Sequence, residues 1–162
     1  LIDAHAAALK LYARQWCRAP EDAVQEALIE LLRQDPLPDN VVPWLYTVVR
    51  RRAMNIARSD GRRMKHQQQA GQQREPWFLP TENDLDSPLD YESFLARLPR
   101  LEREIVVARI WGERSFAEIA DLVEHPRSTV HRRYQAALAE LECMINEPEN
   151  SRQNNESRLP LS

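Results

Sequence analysis

The chain has 162 residues, enough for one domain or two small ones, and its 11 prolines against 3 glycines favour stiff helix boundaries over β-turns. No apolar run approaches the roughly 20 residues that span a bilayer, no secretory pattern opens the chain, and Cys17 and Cys143 sit in no CxxC or Cys/His cluster, which argues against a membrane span, a disulfide scaffold and a metal centre. The net charge of −3 does not exclude a polyanion partner, because residues 50–65 carry six Arg and one Lys against a single Asp60, while residues 75–92 carry six acids and no base.

Residues 3–16 predict a helix with Leu9, Tyr12, Ala13 and Trp16 on one face, broken at Ala19-Pro20. Pro20, Glu21 and Asp22 then suit a helix start, since proline tolerates the first turn and acids favour the positive end of the helix dipole. Val24, Ala27, Leu28, Leu31 and Leu32 stripe this second helix. Its other face presents Asp22, Gln25, Glu26, Ile29 and Arg33, which pattern alone reads most simply as solvated.

Pro36, Pro38 and Pro43 bracket a short loop, and Pro43 suits the start of a third helix, VPWLYTVVRRRAMNIARSDGRR. Leu45, Val48, Val49 and Ile56 project to one side as core. Trp44, Thr47, Arg51, Asn55, Arg58 and Arg62 form a nearly straight stripe elsewhere. An aromatic followed by guanidinium groups suits a single nucleic-acid strand, with Arg on phosphates and bases stacked on planar groups. Trp44 packed into the core beside solvated arginines is the plainer alternative. Arg52 points into the apolar sector, so it should snorkel or pair with an acid of the second helix.

Residues 67–92 change texture: HQQQAGQQ is of low complexity, and the acidic remainder offers few anchors beyond Trp77, Phe78 and Leu79. Such composition predicts a flexible tether. Residues 147–162 read as a disordered tail.

Residues 98–141 hold two helical patterns with a tight corner. Ser115 can cap backbone N–H groups and Glu118 completes a capping box. Phe116, Ile119, Ala120 and Val123 make the first apolar stripe, Glu124-His125 the corner, and Pro126 the start of the next helix. Val130, Tyr134, Ala137, Leu138 and Leu141 stripe that helix, and its opposite face carries Arg127, Ser128, His131, Arg132 and Gln135. The arrangement is a helix-turn-helix whose second helix is shaped for a major groove.

LARLPRLEREI, SFAEIADLV and PRSTVHRRYQAA, in this order and spacing, resemble the C-terminal region of bacterial RNA polymerase sigma factors, nearest to the small extracytoplasmic-function (ECF) group of the sigma-70 family. WLYTVVRRRAMNIAR is similar to the segment of those proteins that opens and reads the minus-ten element, and PEDAVQEALIELL to the segment that docks on the polymerase clamp helices. Three departures stand out: Glu124 replaces the usual corner glycine, Gln135 and Ala136 stand where the second Arg of the last helix is usual, and Arg51 replaces a frequent Asn.

The resemblance implies an all-α fold of two small helical domains, residues 1–66 and 93–146, joined by the tether of residues 67–92. It implies core RNA polymerase as partner, through the clamp helices of its largest subunit and through its flap, with promoter DNA as the second partner and an anti-sigma protein as a further one. On that reading Asp22, Val24, Gln25 and Glu26 meet polymerase. Trp44, Thr47, Arg51, Asn55, Arg58 and Arg62 meet the minus-ten strand. Arg127, Ser128, His131, Arg132 and Gln135 meet the minus-thirty-five duplex, and the Pro36–Pro43 loop helps hold a flipped base.

No Ser/His, paired-carboxylate or glycine-rich phosphate motif suggests an enzyme, and no cofactor is expected. A cytoplasmic protein is the expectation, and Leu1 in place of Met leaves room for native residues ahead of it. Two alternatives remain at the level of sequence: a helix-turn-helix regulator acting without polymerase, and a sigma-like adaptor that does not initiate.

Overall fold

The computed structural model describes residues 2–67 and 91–147. The expected tether, with Trp77, Phe78 and Leu79, and the expected tail beyond Glu147 lie outside the described residues. Seven helices make up the described chain: α1 (Ile2–Ala13), α2 (Pro20–Leu32), α3 (Val41–Gln67), α4 (Tyr91–Arg97), α5 (Arg100–Ile110), α6 (Phe116–Val123) and α7 (Arg127–Asn146). Among the described residues none forms a strand.

α1, α2 and α3 pack on one another as a three-helix bundle. Leu9, Tyr12 and Ala13 are wholly buried, and Trp16, just past the end of α1, is nearly so. Tyr12 meets the edges of Trp16 and Tyr46 with ring centroids 4.9 and 5.1 Å apart. Each such contact adds about 0.5–1.5 kcal/mol to the burial itself. Pro20 opens α2, with Glu21 and Asp22 in the first turn. α3 begins two residues ahead of Pro43 and runs for 27 residues, roughly 40 Å at 1.5 Å per residue.

Val24 is 4% exposed, in the buried stripe with Ala27 and Leu31 that its spacing predicts, whereas one residue of α2 sits differently from expectation. Leu32 is 84% exposed: one residue past Leu31 turns it about 100° away from the core, at the last position of the helix. Arg52 pairs with acids of α2 as expected, 2.6 Å from Glu30 and 3.6 Å from Glu26.

In the second unit α5 is the axis. Glu102 to Ala108 are all buried, which no surface helix of alternating faces permits. α6 and α7 cover α5, and α1 of the first unit packs against it as well. Its buried charges are compensated: Glu102 accepts from Arg133 of α7 at 2.6 Å, and Glu104 from Tyr12 and Arg50 of the first unit at 2.6 and 2.7 Å. α4 begins at Tyr91, inside the stretch whose composition reads as tether, and Glu92 there takes two hydrogen bonds from Arg14 at 2.9 and 3.2 Å.

Candidate nucleic-acid interface

The helix-turn-helix is built by local chemistry. The Ser115 hydroxyl accepts from the Glu118 amide at 3.2 Å, and the Glu118 carboxylate accepts from the Ser115 amide at 2.9 Å, so both ends of the capping box are made. α6 ends where Glu124 turns left-handed at φ 57°, ψ 43°. The corner then closes through the His125 amide, which donates to the Ala120 carbonyl at 3.1 Å. Pro126 stands just before α7 as its cap residue, one position ahead of the helical span.

Arg127, Ser128, His131, Arg132 and Gln135 are all exposed on the first half of α7. His131 stands edge-on to Phe116 with centroids 5.1 Å apart, and Arg109 lies 4.5 Å above that same ring, which ties the reading face to α6 and α5. Arg133, beside this face, serves the fold instead through its pair with Glu102.

The α3 stripe is brought onto one face but is not uniformly available. Trp44 is half-buried and packed against the core. The Thr47 hydroxyl donates to the Pro43 carbonyl at 3.2 Å. Arg51 is held 2.6 Å from Glu30, whose carboxyl is kept below its ordinary range chiefly by the hydrogen bond from Arg52, with burial opposing and Arg51 adding to the lowering. Asn55, Arg58 and Arg62 are exposed.

α6 lies over this stripe. Thr47, Arg50, Arg51, Asn55 and Arg58 share a cleft of about 240 Å³ with Asp121, Leu122 and Glu124. Trp44 and Thr47 share a second cleft, of about 470 Å³, with Arg114, Glu118 and Asp121. Sequence reasoning missed Arg50 and Glu104, which join the two units. Only a charged residue amid the apolar run of α5 hinted at them.

On α2, Asp22, Gln25 and Glu26 are exposed beside Ile29, while Val24 lies beneath them. Val24 supports that face from inside, as a member of the buried stripe. Leu32 and Leu37, 84% and 60% exposed, extend the face with apolar surface. Among the described residues no group of three or more His, Cys, Asp or Glu could hold a metal ion, and no helix is long and apolar enough to cross a membrane.

The sigma-70 region 2 family model matches residues 1–63, and the sigma-70 region 4 model residues 89–141. Among solved structures, the sigma factor RpoE of Bartonella quintana, in complex with the anti-sigma factor NepR, is similar with a TM-score of 0.71 and 19% identity, over 91% of this chain and 96% of that one. CnrH in complex with the cytosolic domain of CnrY is similar with a TM-score of 0.57 and 19% identity, over 92% and 87% of the two chains. At those identities the likeness speaks for the fold. No curated protein sequence matches the chain. The two family matches, set on two helical units that each present a basic helix, place this chain in the sigma-70 family: a sigma factor, which binds RNA polymerase and directs it to promoters.

Proposed function

We propose that residues 93–146 dock α7 in the major groove of the minus-thirty-five element through Arg127, Ser128, His131, Arg132 and Gln135, while residues 1–66 grip the unpaired minus-ten strand along Trp44, Thr47, Arg51, Asn55, Arg58 and Arg62. Asp22, Gln25 and Glu26, with exposed Ile29 beside them, meet the polymerase clamp helices, and the second unit also meets the flap. Strand opening is driven by binding: captured and stacked bases offset the pairing energy lost. The chain works in the cytoplasm, contributes no catalysis of its own, and is restrained by an anti-sigma protein, as RpoE is partnered by NepR.

The observation that carries this reading is the presence of two basic helical faces on separate units, one on a helix-turn-helix and the other on a long helix bearing an aromatic. A duplex regulator needs only the first. Run-off transcription with core polymerase tests it. Specific transcripts are expected only when the chain is added. Tight duplex binding without polymerase, and no transcript with it, would return the chain to the class of ordinary regulators.

A further inference from the structure

We infer that Phe116 is a specificity-determining residue that acts through another: it holds the His131 imidazole at a set angle on the reading face of α7, and so fixes which base edge that imidazole can recognise. That α7 docks in the groove rests on the function proposed above. The contact of ring and imidazole does not.

Phe116 is the first residue of α6, and the Ser115–Glu118 capping box fixes the backbone from which its ring departs. The half-buried ring meets two residues of α7 at once. His131 lies with centroids 5.1 Å apart and planes at 72°, and Tyr134 at 5.3 Å and 66°. Three positions apart, those two residues project from adjacent turns of one side of the helix. Tyr134 is packed against the core, whereas His131 is exposed. Phe116 therefore stands at the border of core and reading face, and passes the order of the first to the second. Arg109 steadies the ring from α5. Its guanidinium carbon lies 4.5 Å from the ring centroid, and its Nη1 donates to the Arg114 carbonyl at 2.9 Å, which ties it to the turn before α6.

Orientation matters because of what the imidazole reads. An imidazole carries at least one N–H donor, and a guanine edge in the major groove offers O6 and N7 as acceptors. Such a donor discriminates well only when its direction is held to within about 10–20°. An exposed imidazole without a neighbour turns freely and must give up that freedom on binding. An edge-to-face aromatic contact restricts it beforehand, through a geometry that an aliphatic side chain of similar bulk does not impose. Phosphate contacts carry affinity and salt dependence but no sequence information, so loosening the imidazole leaves them as they were.

The test uses holoenzyme assembled from core polymerase and the full chain, with a duplex library randomised across the minus-thirty-five element. His131→Ala identifies the base pair that the imidazole reads. Phe116→Leu is expected to lower the preference at that same pair about fivefold, roughly 1 kcal/mol, with the other positions and the salt slope unchanged. Phe116→Tyr keeps the ring and is expected to keep the preference. Phe116→Leu combined with His131→Ala is expected to match His131→Ala alone. In the free chain, proton NMR of Phe116→Leu is expected to show the His131 ring C–H resonances moved toward random-coil positions, since the ring current is gone. A uniform loss at every position overturns the inference, because Phe116 would then serve only the fold, and unmoved imidazole resonances overturn the contact itself. An unchanged profile in Phe116→Leu, beside a selective wild type, overturns this inference alone. A wild-type holoenzyme with no preference across the element overturns it together with the docking of α7.

Discussion

Glu124 is the residue where the family's usual backbone and this chain's side chain conflict most directly. It sits at φ 57° between α6 and α7, where a Cβ crowds the following carbonyl. That conformation costs an ordinary L-residue roughly 1–2 kcal/mol, and glycine gives back about 0.5–1 kcal/mol through its larger unfolded-state entropy. Glu124→Gly should therefore stabilise the fold by about 0.5–1 kcal/mol, or about 1–4 °C in melting temperature for a chain of this size. Glu124→Ala is the decisive companion. Both substitutions remove the carboxylate that lines the α3 cleft, but only glycine relieves the backbone. The comparison is made by thermal and urea denaturation at pH 7 and moderate salt. Glycine melting no higher than alanine would show that the left-handed corner carries no strain, and the structural account of the turn would fail.

Arg132→Ala, at an exposed position on the reading face of α7, should weaken duplex binding and reduce the slope of log affinity against log salt by about one; an unchanged slope would show that this helix does not face phosphates. Asp22→Ala with Gln25→Ala should lower retention on immobilised core polymerase while leaving the melting temperature in place, since both side chains are exposed; wild-type retention would remove the face from the interface. Tyr46→Phe tests the seam between the units. The Tyr46 hydroxyl is buried without a hydrogen-bond partner, and burial pushes its ionisation up to about 12. With the folded value above the unfolded one near 10, its contribution is complete below pH 10 and is lost as pH rises through 12. The full loss is of order 2–3 kcal/mol at 1.4 kcal/mol per unit. Tyr46→Phe should be neutral or slightly stabilising at pH 7 and should lose less stability than wild type in urea titrations between pH 10 and 11.5. An identical alkaline decline would place the responsible groups elsewhere.

What the sequence made legible is what lies within a few residues along a helix. The Ser115–Glu118 capping box, the non-glycine corner at Glu124 and the attraction of Arg52 to an acid of α2 all appear in the structure. Each follows from spacing or from one side chain facing the wrong sector. The limits have the same origin. Val24 belongs to the buried stripe and, by resemblance, to the docking segment, and periodicity cannot say which role its side chain plays. Leu32 fits the stripe by spacing but falls at a helix end with nothing above it. Illegible altogether was the enclosure of α5. Glu104 meets Tyr12 across 92 positions of sequence, and no local pattern encodes a contact of that range. A charged residue in LEREIVV reads as solvated until the second unit is seen against the first.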